Sequence, residues 1–193
     1  MSVAPGVHGW TGLVLAGGQS SRMGRDKALL PWHGQPLLAH MQALLRTAGA
    51  HEVLVSGRYP DAGGIADAQP GLGPLGGLAS VVKTLADTTV LLVVPVDMPL
   101  LPVPLLARLL DAPVEAACAI FDDQRLPMRL RVDARLRTRL AGLLEGEGSA
   151  RSLHALQAGL HCHRVAVTPN ERAAFVNCNT PEQWSRLIHE NPD

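Results

Sequence analysis

Two textures of apolar residues alternate along the first half of this chain. Gly12 to Leu15, Glu52 to Ser56 and Thr88 to Val96 are short runs rich in valine and leucine, of the length and composition expected for strands. Thr88 to Val96 is almost continuously apolar, as a central parallel strand covered on both faces should be. Between the runs the spacing changes. Leu37, Leu38, Met41, Leu44, Leu45 and Ala48 collect on one helical face, with Pro36 suited to the first turn and Gly49 to the stop. Trp32 to Pro36 reads as a turn, and further helical runs cover Leu78 to Leu85 and Pro102 to Leu110.

The second half is less regular. Glu115 to Phe121 and Leu126 to Val132 read as strands around the polar turn Asp122-Asp123-Gln124-Arg125. Leu136, Leu140, Leu143 and Leu144 mark an amphipathic helix. After a break at Gly146 to Ser149, a short helix passes through Leu153 and Leu156, and His161 to Val167 reads as a strand. Thr180 as N-cap, Pro181 at the first helical position and Gln183 as the returning partner of a capping box announce a final helix. Strand, loop and helix repeated through Val96 predict an α/β fold: a Rossmann-like three-layer domain with a mostly parallel central sheet, to which the later strands add a mixed-direction half.

Composition narrows the class. A chain of 193 residues suits one domain, expected over 12–189 after a flexible lead at 1–11 and before a short tail at 190–193. Hydrophobic residues make up 47% and charged residues 18%, the balance of a globular chain. The longest aliphatic run, Val90 to Val94, is far too short to span a bilayer, and the first residues lack a signal-peptide pattern. A cytoplasmic protein without a membrane partner is expected. A net charge of zero excludes the basic excess usual for nucleic-acid binding, so the ligand should be small. Cys118, Cys162 and Cys178 lack Cys-x-x-Cys spacing and read as buried free thiols, not as disulfide or zinc ligands. In His161-Cys162-His163, strand alternation would point the cysteine away from both histidines.

The chemistry concentrates between Leu15 and Lys27. Leu15-Ala16-Gly17-Gly18-Gln19-Ser20-Ser21-Arg22-Met23-Gly24-Arg25-Asp26-Lys27 leaves the first strand with two adjacent glycines, which let backbone N–H groups approach a ligand. Arg22, Arg25 and Lys27 against Asp26 give it a local positive surplus, so it wants an anion. At about 4 Å and an effective dielectric of ~20, each cation–phosphate pair has a Coulomb term of roughly 4 kcal/mol before desolvation. A nucleoside triphosphate is the natural guest. No Gly-Lys-Ser/Thr ends the stretch, and its glycine spacing is not that of the dinucleotide fingerprint. Gly71, Gly73 and Gly76 do match that fingerprint, but no strand runs into them and Pro70 and Pro74 stiffen the segment. Two strand ends complete the candidates. Asp97, at the exit of the central strand, is placed to ligate magnesium near nucleotide phosphates. Ser56, Gly57 and Arg58 lie where a base or ribose is read.

Leu-x-Gly-Gly, Ser-x-Arg-Met-Gly and Asp-Lys together resemble the signature of the nucleotidyltransferase superfamily. The fuller wording through Lys27-Ala28-Leu29-Leu30, with Phe175-Val176-Asn177-Cys178-Asn179-Thr180-Pro181-Glu182, is similar to the molybdenum cofactor guanylyltransferases. The resemblance runs from about Thr11 to Trp184. It implies transfer of GMP from GTP to molybdopterin with release of pyrophosphate, the acceptor phosphate attacking the α-phosphorus without a protein nucleophile. It assigns catalysis to Arg22, Lys27 and Asp97. Nucleotide contacts fall to Leu15, Ala16, Gly17, Gly18, Ser20, Arg22, Lys27, Ser56, Asp67, Gly76 and Asp97, with Mg2+ on Asp97 and Asn179. Gly-Pro-Leu-x-Gly at 73–77 would be the segment closing over the nucleotide, and Arg151 a weaker candidate. Transient contacts with other molybdenum cofactor assembly proteins are also implied. Two departures stand out: Ser56 replaces a frequent asparagine, and Leu126-Pro127-Met128-Arg129 lacks the small or polar residues usual near the acceptor. Cytidylyl transfer to the same pterin is the nearest alternative, and Gly17-Gly18 speaks for GTP against it. A sugar-phosphate nucleotidyltransferase is a further one, and a nucleotide-binding regulatory module without turnover belongs to another class.

Overall fold

A computed structural model of the chain describes residues 9–16, 26–69, 71–148 and 151–191. The described strands form a seven-stranded sheet. In chain order its strands are β1 (Thr11–Leu15), β4 (Glu52–Ser56), β5 (Gly64–Ile65), β6 (Val90–Pro95), β7 (Cys118–Phe121), β8 (Met128–Arg131) and β9 (His163–Val165). A separate hairpin pairs β2 (Pro31–Trp32) with β3 (Gln35–Pro36). The sheet order is β5-β4-β1-β6-β8-β7-β9. β1 is parallel to β4 and β6, β4 to β5, and β7 to β9, whereas β8 pairs antiparallel with β6 and β7. The expected mostly parallel sheet is therefore present, and β8 is the described strand that reverses direction.

Side-chain alternation along the strands sorts the interior into two layers. Val14, Val55, Val94 and Phe121 pack with helices α1 (Leu37–Thr47), α3 (Val103–Leu110) and α6 (Pro181–Glu190). Leu13, Leu15, Val93, Ile120 and Met128 pack on the other face with α2 (Gly73–Val82), α4 (Ala134–Glu145) and α5 (Leu153–Leu160). Gly12 lets α1 lie close to the sheet: a Cβ there would come within 2.9 Å of Leu45 Cδ1.

Several boundaries differ from the sequence expectation. Trp10 and Thr11, expected within the flexible lead, are ordered parts of the fold: Trp10 is buried in the core and Thr11 opens β1. Helix α2 begins at Gly73, not Leu78, with Pro74 in its first turn where a missing N–H costs nothing. What reads as a glycine-rich loop at 73–77 is thus helix. Between β4 and α2 lie a 3-10 turn, Pro60–Ala62, and the edge strand β5. Another 3-10 segment, Pro169–Phe175, precedes the last helix. The cysteine expectation is corrected as well: Cys118 and Cys162 form a disulfide, and Cys178 is the buried free thiol. β7 and β9 run parallel with Ala119 opposite His163, so the residues just before them become cross-strand neighbours, with Cα atoms 4.5 Å apart. No helix among the described residues is long and apolar enough to cross a membrane.

Candidate active site

Strand order reverses between β1 and β6, and the carboxyl ends of these two strands open into a cavity of about 540 Å³. This is the position at which open α/β sheets bind ligands. Leu15, Ala16, Lys27, Asp97 and Asn179 all line it. They come from three parts of the chain that are distant in sequence.

Lys27 opens a 3-10 turn, Lys27–Leu29, capped by Asp26, whose Oδ1 accepts from the Ala28 N–H at 3.0 Å. From that turn Lys27 Nζ donates to Asp97 Oδ2 at 3.2 Å and to Asn179 Oδ1 at 2.6 Å. Asp97 follows β6, and its carbonyl accepts from the Cys178 N–H at 3.1 Å, which stitches the strand exit to the segment bearing Asn179. Asn179 is held from the other side by the capping box of α6. Gln183 Oε1 accepts from the N–H groups of Asn179 at 2.8 Å and Thr180 at 3.1 Å, while Thr180 Oγ1 accepts from the Gln183 N–H. The cap that starts the helix thereby fixes the backbone of the site asparagine. Beside this cluster Cys178 is buried; burial, with the Asp97 charge, pushes its thiol up to about 11. It stays protonated at neutral pH.

A second group lies next to the cavity without lining it. Ser56, at the end of β4 and opposite Leu15 in register, is buried and accepts from the Ala16 N–H at 3.3 Å. Asp67 follows β5; its Oδ1 is buried without a hydrogen-bond partner, and burial raises the carboxyl above its ordinary value. Gly77 makes this cluster possible, since a Cβ there would meet Ser56 Cβ at 2.9 Å and Asp67 Oδ1 at 3.2 Å. Gly76 is buried inside α2, where its would-be Cβ faces Leu72 at 2.7 Å, and it does not line the cavity. Arg58 is exposed. Of the remaining residues singled out from the sequence, Gly17, Gly18, Ser20 and Arg22 lie outside the described residues.

The far wall holds residues to which the sequence reading gave no site role. Asp123, Gln124 and Arg125, from the polar turn between β7 and β8, line the cavity together with Leu126, Leu153 and Asn177. Because β7 runs parallel to β1 through the sheet, the turn at its carboxyl end falls on the same edge as the carboxyl end of β1. That signal is topological. The turn is held by Gln157, whose Nε2 donates to the Arg125 carbonyl at 2.7 Å. Arg129 is structural: buried on β8, it donates to the carbonyls of Ala112, Pro113 and Ala116 after α3. Tyr59 is the other residue missed, and its Oη lies 2.8 Å from Asp26 Oδ2.

A mostly parallel sheet with a lysine, an aspartate and an asparagine meeting at its switch point defines an α/β protein whose polar cluster stands where open sheets of this kind bind their ligands. The MobA-like NTP transferase domain matches residues 12–181. The chain belongs to that family. It is 67% identical over 184 residues to the molybdenum cofactor guanylyltransferase of Xanthomonas euvesicatoria pv. vesicatoria, covering 95% of this chain and 97% of the relative. Identity to the molybdenum cofactor guanylyltransferase of Shewanella sp. strain MR-4 is 34% over 191 residues, covering 92% and 94%. In fold, it resembles molybdopterin-guanine dinucleotide biosynthesis protein A of Archaeoglobus fulgidus, with a TM-score of 0.74, 19% identity, and 93% of this chain and 97% of that one covered.

Proposed function

We propose that this protein transfers GMP from GTP to molybdopterin, releasing pyrophosphate and forming the molybdopterin guanine dinucleotide cofactor. The observation that carries this reading is the meeting of Lys27, Asp97 and Asn179 at the switch point of the sheet, in a chain so similar to named guanylyltransferases. An acceptor phosphate oxygen attacks the α-phosphorus of GTP; the new P–O bond forms as the bond to the β-phosphate oxygen breaks, and pyrophosphate leaves. No side chain need become covalently attached. Catalysis then rests on alignment and on cations near the departing charge, a task for Lys27 and, by the sequence reading, Arg22.

The donor set fits a divalent cation. Asp97 Oδ2 and Asn179 Oδ1 already converge on one positive charge, the Lys27 ammonium, and both are hard oxygen donors. Magnesium is usually held by one or two such protein groups together with substrate phosphates. Bound there, Mg2+ would supply charge neutralisation to the triphosphate.

The triphosphate belongs on the Ala16 and Lys27 side of the cavity, and the base or ribose belongs beyond Ala16, toward the neighbouring Ser56 and Asp67, whose Oδ1 is buried without a hydrogen-bond partner. The acceptor belongs against Asp123, Gln124 and Arg125. The test is pyrophosphate release by the purified protein with magnesium and molybdenum-loaded molybdopterin, run in parallel with GTP, CTP and ATP. Release with GTP alone supports the reading. Release with CTP would overturn the base, and silence with an acceptor competent for a control enzyme would overturn the reaction.

A further inference from the structure

Tyr59 is hydrogen-bonded to Asp26, the residue that precedes Lys27 and caps its turn. Its Oη lies 2.8 Å from Asp26 Oδ2 and 3.0 Å from Asp26 Oδ1, and 3.4 Å from the Ala16 carbonyl. One phenol therefore bridges the residue after β1 and the residue before the turn of Lys27. We propose that Tyr59 is a positioning residue: through Asp26 it sets the turn that delivers Lys27 to the site. The inference rests on the reading of Lys27 as the cation of the nucleotide site.

The bridge is anchored at both ends. Tyr59 is fixed by its own backbone, with its carbonyl accepting from the N–H groups of Gly64 at 2.8 Å and Ala62 at 3.0 Å. That bend tolerates only glycine at 64, where a Cβ would stand 2.6 Å from the Tyr59 nitrogen. The tyrosine packs against the core layer that holds α1. At the other end, Asp26 Oδ1 caps the turn through the Ala28 N–H, so rotation of the carboxylate would release both the tyrosine and the cap. Burial, reinforced by the Asp26 carboxylate, pushes the Tyr59 phenol well above its ordinary range, and it remains a donor at any working pH. A lysine has a long flexible stem. Fixing the backbone from which it starts is how a tyrosine bonded to the preceding residue can hold its ammonium between Asp97 and Asn179.

The test is a double-mutant cycle, which separates action through Lys27 from general structural damage. Tyr59→Phe should lower kcat/KM for GTP in pyrophosphate release about tenfold, which is ~1.4 kcal/mol. In the Lys27→Ala background the same change should cost under about twofold. Asp26→Asn, which keeps an oxygen for the cap and for the tyrosine, should stay within about threefold of the unmodified protein, while Asp26→Ala should match Tyr59→Phe or exceed it. An equal loss in both Lys27 backgrounds, or no loss from Tyr59→Phe, would overturn the proposal. The cycle is repeated on GTP affinity by titration calorimetry. If pyrophosphate release is absent from the unmodified protein, the proposed reaction fails, and the affinity cycle judges Tyr59 by the same criteria. A protein that bound no GTP would overturn both.

Discussion

Replacing Asp97 tests the centre of the site most directly. The carboxylate stands 3.2 Å from Lys27 Nζ, and the two side chains are 19% and 15% exposed. At that separation and an effective dielectric of ~20 the gross attraction is about 5 kcal/mol, most of which desolvation offsets. For a pair this far from full burial, the net stability at stake is on the order of 1–2 kcal/mol, between the exposed and buried cases. In a chain of this size that lowers Tm by roughly 2–8 °C. The expected effect on turnover is much larger. Asp97→Ala removes the carboxylate proposed to hold magnesium at the phosphates and leaves the Lys27 ammonium with Asn179 alone, so kcat should fall by about a thousandfold or more, ~4 kcal/mol. Asp97→Asn preserves size and should retain more stability than alanine while losing nearly as much activity. Pyrophosphate release is followed over a magnesium titration, beside a thermal melt of each variant. Turnover by Asp97→Ala within about tenfold of the unmodified protein, with a melt showing it folded, would refute the reasoning.

Three further outcomes follow from the structure. Burial raises the Asp67 carboxyl above 3.8, so the folded state holds that proton more tightly than the unfolded chain. The associated stability is full below the ordinary value and is lost as pH rises through the raised one. Asp67→Asn should therefore raise Tm at pH 7, lose that advantage in acid, and weaken GTP binding by calorimetry; a lower Tm at pH 7 would contradict the burial argument. Arg125→Ala should raise KM for the acceptor several-fold and leave GTP affinity within about twofold, the split expected when one of two substrates loses a contact; an equal effect on GTP would remove the β7–β8 turn from the acceptor wall. Gly12→Val forces a side chain against Leu45, where even a Cβ would sit at 2.9 Å from Cδ1, and should cost about 1–3 kcal/mol in a calorimetric melt.

Much of the frame was legible before any coordinates. β1, β4, β6, α1 and α3 follow from apolar runs and stripes that depend on a few neighbouring residues. The same holds for the cap at Thr180, which local chemistry specifies completely. Lys27, Asp97 and Asn179 could be named because each sits in a motif or at a strand exit. Helix α2 misled because three glycines and a proline are turn residues by local preference, yet burial of Leu75, Leu78 and Val82 under the sheet carries the helix through them.

What the sequence by itself determined, then, is the principal strands and helices and the chemical character of the loop after β1, because these depend on short-range periodicity and backbone preference. Tertiary structure alone decided that Lys27 meets partners 70 and 152 residues away. It also decided that Cys118 meets Cys162, that the Asp123–Arg125 turn forms a wall of the cavity, and that Tyr59 reaches Asp26. Each of these depends on the order and direction of strands in the sheet. That order is set by the summed burial of two core layers and the pairing of backbone groups across the whole chain, and no local stretch of residues encodes it.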